Sequence, residues 1–198
     1  MKARAETATL TRSTAELQAF LPVLWDAPRE TGTLELVVAR PAEGERDVLA
    51  EGELDLAVGL VGDAWLQRGS KRTADGSAHP DMQLNVMSAR MVAFLAGAPH
   101  RRALAGDQLY VDLDISQDNL PSGSTLTIGD PATRGAAIEV TDQPHTGCAK
   151  FVARFGEDAM RFVNGPSGRS LRLRGLNAKV VVPGLIRPGD AVVVTRRV

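Results

Sequence analysis

The stretch LYVDLDI, residues 109–115, constrains the fold more than any other part of the chain. Leu109, Val111, Leu113 and Ile115 alternate with Tyr110, Asp112 and Asp114. That is the period of a strand covered on one face. The pattern recurs in TLELVVA (33–39), which would set Leu34, Leu36 and Val38 on one side, and in TLTIG (125–129) and AIEVT (137–141). It returns in the closing KVVVPGLIRPGDAVVV (179–194). Gly, Pro, Asp and Asn separate the runs, as expected of antiparallel strands joined by turns. So many short strands predict a mainly β, α+β fold with short helices, closed or nearly closed into a β-barrel, rather than a βαβ sheet.

Helical spacing interrupts the strands in a few places. Ser13 and Glu16 form a capping-box pattern ahead of Leu17, Phe20, Leu21 and Leu24, and Pro22 breaks that pattern. Residues 26–32 read as a linker, which gives a helical extension over 1–32 and a barrel domain over 33–198. Ser88 is placed to cap ARMVAFLAG, with Met91, Val92 and Leu95 on one face. After Cys148, residues Phe151, Val152 and Phe155 suggest a helix stopped by Gly156. Glu157 and Asp158 then open another, which ends at Asn164-Gly165. RGSKRTADGSAHPD (68–81) is the most loop-like segment.

Composition removes several function classes. A hydrophobic fraction of 43%, a charged fraction of 24% and a formal net charge of −1 describe an ordinary globular protein. They argue against a nucleic-acid or membrane-surface binder, which needs a basic excess. FLPVLW and MVAFLAG fall short of the roughly 18 apolar residues of a membrane span. No apolar signal core accompanies the basic N-terminus. A single cysteine fits a reducing compartment. The expectation is a cytoplasmic protein.

That cysteine lies in PHTGCAKFVARFG, residues 144–156. Cys148 heads a helical run, where unpaired amides favour an anionic thiolate, and Lys150 and Arg154 add positive charge. His145 can accept a proton or act electrostatically. Equally, Cys148 precedes Phe151, Val152 and Phe155 at the spacing of a core stripe, and cysteine is among the most often buried residues. A zinc site is not expected, because His145 and Cys148 supply two ligands where four are needed, and His79 and His100 are isolated.

Read outward from Cys148, three segments together resemble the MOSC domain, the module at the C-terminus of molybdenum-cofactor sulfurases and in stand-alone bacterial proteins. They are GLVGD (59–63), LTIGDPATRGAAIEVTDQPHTGCAKFVARFGEDA (126–159) and RGLNAKVVVPGLIRPGDAVVV (174–194). The resemblance spans roughly residues 33–198. It implies a barrel of mostly antiparallel strands. At the position of Cys148 it implies a cysteine that carries sulfur as a persulfide or ligates molybdenum of a molybdopterin cofactor. The implied activity is sulfur transfer or a molybdenum-dependent, reductase-like role. Partners would be a sulfur donor such as a cysteine desulfurase, or a molybdoenzyme acceptor. The chain departs from the pattern in having Gly147 before the cysteine, where many relatives have proline, and His145-Thr146 in place of a basic-proline pair. It has Ala64-Trp65 where a histidine is frequent. Pyridoxal phosphate is not expected in this chain, which lacks room for the desulfurase domain of full sulfurases.

Candidate cofactor contacts are Cys148, Thr146, Lys150, Arg154, Asp63, Arg72, Arg172 and Arg174. Arg172 and Arg174 alternate with Leu171 and Leu173, so a strand would put both guanidinium groups on one face, suited to phosphate or simply solvated. Arg68, Lys71 and Arg72 would form an anion clamp in the long loop. Four aspartates follow glycine, at 63, 107, 130 and 190. Such pairs are ordinary turn chemistry, and only Asp63 falls within the family motif. Asn85 and Asn119, near strand ends, could donate to a pterin edge. Two readings stay open: a sulfur or molybdenum-cofactor protein acting through Cys148, and a non-catalytic barrel binding a partner or small anion with Cys148 in its core.

Overall fold

A computed structural model describes residues 10–197; residues 1–9, the basic N-terminus on which the signal-peptide expectation rests, lie outside the described residues. Two short helices come first, α1 (Thr14–Ala19) and α2 (Leu21–Trp25). The Ser13–Glu16 capping box is formed, and Pro22 falls in the first turn of α2, where its missing N–H costs nothing. One expected helix is therefore two. Next come β1 (Thr31–Ala39), β2 (Asp47–Leu49), β3 (Gly52–Asp55), β4 (Gly59–Leu60) and α3 (Trp65–Arg68). A 3-10 turn at Pro80–Met82 leads into β5 (Leu84–Ser88), α4 (Ala89–Ala96), a longer 3-10 segment Pro99–Ala105, and β6 (Leu109–Asp112). The rest is β7 (Thr125–Ile128), β8 (Ala136–Val140), α5 (Ala149–Phe155), α6 (Glu157–Asn164), α7 (Pro166–Ser170), β9 (Leu176–Val182), β10 (Gly184–Ile186) and β11 (Ala191–Thr195).

Seven strands in the order β11-β7-β8-β9-β5-β6-β1 close into a barrel, because Thr31–Thr33 of β1 pair with Ala191–Val193 of β11. The β5–β6 pair is parallel and the remaining pairs in the barrel are antiparallel. The other end of β1 carries β2, and β10-β3-β4 make a small separate sheet. This is the mixed, mainly β barrel that the alternation implies, and it is MOSC-like, as the family resemblance implies. Closure leaves no unpaired barrel edge to solvent or to another chain.

The alternation explains the interior. Leu109, Val111, Leu113 and Ile115 all face the barrel core, with Leu34, Val86, Leu126, Ile138 and Val192. Two details of the simple pattern are corrected. Tyr110 does not face solvent; it is fully buried under a second layer of helices, and its hydroxyl accepts the Asp107 N–H at 3.2 Å. In β1 a bulge between Leu34 and Leu36 shifts the register against β6. An added residue reverses the facing of the residues beyond it. So Leu34 and Val37 enter the barrel, while Leu36 and Val38 turn to the helical layer.

That outer layer joins α1, α2, α4, α5 and α6 over one side of the barrel. Ser88 caps α4 by accepting the Met91 N–H, and Met91, Val92 and Leu95 are buried as the spacing predicts. Phe20 stacks on Phe94 with ring centroids 4.0 Å apart. Phe151 and Phe155 are 1% exposed and pack at 5.0 Å. Each such side chain contributes about 1.5–3 kcal/mol of hydrophobic stabilisation, which fixes α5 against the barrel. No helix among the described residues is long and apolar enough to cross a membrane.

Candidate functional site

The segment from Thr141 to Cys148 is irregular, so its position depends on side-chain hydrogen bonds. Thr141 Oγ1 donates to the Asp81 carbonyl at 2.7 Å, and Asn177 Nδ2 donates to the Gln143 carbonyl at 3.1 Å. The Gly147 N–H donates to Asn164 Oδ1 at 2.9 Å. Cys148 then forms the N-cap of α5, its carbonyl accepting from the Phe151 and Val152 amides at 2.8 and 3.1 Å. Its side chain makes no capping hydrogen bond and is exposed, while Phe151 and Phe155 are buried. The core-stripe reading of Cys148 is thereby corrected: the helix turns its phenylalanines inward and leaves the thiol outside.

Cys148 lines a cavity of about 820 Å³. Seven basic side chains share its wall: Arg40, Arg46, Arg68, Lys71, Lys150, Arg154 and Arg174. Three carboxylates answer them. Glu43 pairs with Lys150 at the rim, Asp63 lies behind Arg40, and Asp107 lies behind Arg174. The cavity therefore presents a surplus of positive charge in a concave, partly desolvated space, where it is screened less than on an open surface.

Arg40 and Asp63 form a buried bidentate pair, Nε to Oδ2 at 2.7 Å and Nη2 to Oδ1 at 3.0 Å. Asp63 also accepts the Arg40 and Trp65 amides, both at 2.9 Å, and lies 3.6 Å from Arg68. It is not a wall residue; it orients the arginines that are. Arg40 further donates to Asn85 Oδ1 at 2.8 Å, and Asn85 does line the cavity. Arg46 and Arg154 have no carboxylate partner among the described residues, and Arg46 Nε is buried without a hydrogen-bond partner. Burial, then Arg154 and Arg40, hold the Arg46 pKa below the usual arginine range. Gly106, at φ 90°, lies beneath them. A Cβ there would come within 3.2 Å of Arg46 Nη2 and 3.5 Å of Arg154 Nη1, so glycine leaves space for both groups.

Beside Gly106, Arg174 Nη1 donates to both oxygens of Asp107, at 2.8 and 2.7 Å, and His145 Nε2 lies 2.8 Å from Asp107 Oδ1. Burial pushes the Asp107 carboxyl up, but Arg174 and His145 more than offset it, and its pKa falls to about 2. Burial and Arg174 lower the His145 pKa. An ionised Asp107 can only accept, so neutral His145 carries its proton on Nε2, and Nδ1 keeps a lone pair. Gly175, at φ 110°, permits this contact, because a Cβ there would meet the Val86 carbonyl and come within 3.1 Å of the His145 ring. His145, Thr146 and Arg174 also line a second cavity of about 300 Å³, so these three form a partition between two spaces, two of them held by Asp107.

Of the residues expected from sequence, Cys148, His145, Thr146, Lys150, Arg154 and Arg174 share the larger cavity, with Arg68, which ends α3 rather than lying in a loop, and Lys71 just after it. Arg72 is exposed and lines neither cavity. The strand expected through 171–174 is corrected. Leu171 to Arg174 form turns between α7 and β9, because Arg172 takes a left-handed φ of 49°. The two arginines are no strand pair: Arg174 is buried on Asp107 and lines both cavities, whereas Arg172 lines only the smaller one. Asn119 is held by Arg29, Asp114 and Arg196 and lines neither cavity. Sequence reasoning missed Arg40, Arg46 and Asp107. Asp107 reads as one more Gly-Asp turn, and only its contacts across 38 and 67 residues set it apart.

The barrel has a MOSC-like fold. YuaD from Bacillus subtilis superposes with a TM-score of 0.57 at 17% identity, over 83% of this chain and 95% of that one. YiiM from Escherichia coli gives 0.52 at 20% identity, over 84% and 71%. YiiM from Geobacillus stearothermophilus gives 0.50 at 15% identity, over 86% and 75%. No family model and no curated protein matches the sequence. At these identities the likeness is one of fold.

Proposed function

We propose that this chain binds a molybdenum cofactor, a phosphorylated pterin, in the larger cavity, with the Cys148 thiolate as a ligand to the metal. The observation that carries this reading is an exposed thiol on the wall of an 820 Å³ cavity with seven basic residues against three carboxylates. Thiolate is a soft ligand suited to such a metal. Among the described residues no three His, Cys, Asp or Glu side chains gather to hold a metal ion, so a metal here would bring ligands of its own. The fit is supported by Arg46 and Arg154, two guanidinium groups without counter-ions beside a bare glycine, which suit a phosphate. Thr146 on the same wall offers a neutral polar contact. Arg40 and Arg174 are fixed by Asp63 and Asp107, so their charge is preorganised rather than mobile. When bound, the cofactor supplies redox chemistry at molybdenum. His145 Nδ1 can accept a proton at the wall, and Asp107 holds the ring in that tautomer.

The same exposed thiol would serve a persulfide carrier, but carriage needs only access, whereas a cation-lined cavity suits a resident anion. Metal and pterin analysis of protein from cofactor-competent cells separates the two. Molybdenum and pterin in equal amounts, with molybdenum depleted in Cys148→Ser, are expected. Protein free of both, whose Cys148 peptide carries one extra sulfur atom, would replace cofactor binding with sulfur carriage.

A further inference from the structure

The smaller cavity, on the far side of the His145–Arg174 partition, has no part in cofactor binding by the larger one. Its wall includes Arg169 and Arg172, with Gln117, Thr141 and Gln143 as neutral hydrogen-bonding groups. Its one carboxylate, Asp142, is exposed and accepts from the neighbouring Gln143 amide at 2.9 Å.

Arg172 is the costly residue here. Twelve glycines among the described residues have positive φ, and Arg172 is the one non-glycine residue that does. Its side chain is partly buried, donates once, from Nη1 to the Leu120 carbonyl at 2.6 Å, and has no carboxylate within salt-bridge distance among the described residues. Desolvation lowers its pKa accordingly. A left-handed arginine is strained, and a partly buried cation without a counter-ion is penalised again. Strain of this kind collects at ligand sites, where a bound group offsets it.

We propose that the smaller cavity is a second ligand site, taking a small molecule that bears a carboxylate or phosphate group, with Arg172 as its anchor and Arg169 at its mouth. The planar guanidinium fork matches either oxyanion in two parallel hydrogen bonds. The 300 Å³ volume, with Pro144, Val163 and Leu176 on its apolar side, sets the ligand at the small end of binding-site sizes. Because His145, Thr146 and Arg174 face both cavities, a ligand here lies against the residues that shape the Cys148 site.

The test uses full-length protein carrying Arg46→Gln and Arg154→Gln, which weakens anion binding in the larger cavity and makes the outcome independent of cofactor binding. Inorganic phosphate and succinate are titrated separately by calorimetry. At least one should bind with unit stoichiometry. Adding Arg172→Asn, which tolerates left-handed φ, should weaken it roughly 10–100-fold, as expected for the loss of a charge-assisted pair. Arg172→Lys, which keeps the charge without the fork, should fall between. Absence of binding by both anions, or affinity unchanged in Arg172→Asn and Arg172→Lys, overturns the proposal.

Discussion

Removing the Asp107 carboxylate tests the partition most severely. In Asp107→Asn the Arg174 guanidinium, 8% exposed, loses its anionic partner, and its Nε already lacks a hydrogen bond. Breaking a buried pair from one side costs about 3–5 kcal/mol, because the remaining charge stays desolvated. For a chain of this size that is roughly 6–20 °C in Tm, at about 2–4 °C per kcal/mol. The comparison is Asp112→Asn. Its pair with Arg90 at 2.5 Å is partly exposed, which places the cost at about 0–1 kcal/mol. Pairing Asp107→Asn with Arg174→Met removes the stranded charge and should recover most of the loss. The assay is urea denaturation at pH 7.5, well above the Asp107 pKa of about 2, where a depressed carboxyl contributes its full stabilisation. A single variant within 1 kcal/mol of the parent, or a double variant no better than the single, would refute the buried-triad reasoning.

Other outcomes rest on the same contacts. His145 has a folded-state pKa below its unfolded value of about 6.5, so its contribution is complete above that pH and declines as pH falls below it; His145→Gln should remove this step from stability measured between pH 7.5 and 5.5. Ser88→Ala deletes the cap on Met91 N and should cost about 1 kcal/mol by denaturant titration, with no change in the far-UV spectrum. Phe155→Ala should cost about 3–5 kcal/mol, because its ring is 1% exposed beside Phe151. Cys148 should react completely with a chromogenic disulfide in the native state, and a requirement for denaturant would show the thiol to be buried.

Much of the fold was legible wherever local chemistry decides it. Leu109 to Ile115, the Ser13 and Ser88 caps, the Gly156 stop and the Cys148 helix start are each settled within a few residues, where propensity and periodicity act. Departures arose where distant contacts decide. The β1 bulge that divides Leu34 from Leu36 depends on the β6 register, and Tyr110 is covered by helices remote in sequence. The alternation of Leu171, Arg172, Leu173 and Arg174 imitates a strand, yet α7 and the left-handed Arg172 make it a turn. For the site, the 144–156 segment announced the thiol and its basic neighbours. Arg40, Arg46 and Asp107 were silent, because an arginine after a strand and an aspartate after a glycine look ordinary until folding buries them together.

X-ray absorption at the molybdenum edge of the cofactor-loaded protein, compared with loaded Cys148→Ser, tests the central claim most directly. One sulfur neighbour fewer around molybdenum in the variant is the expected result. Identical sulfur coordination in the two proteins would contradict the claim and remove Cys148 from the metal.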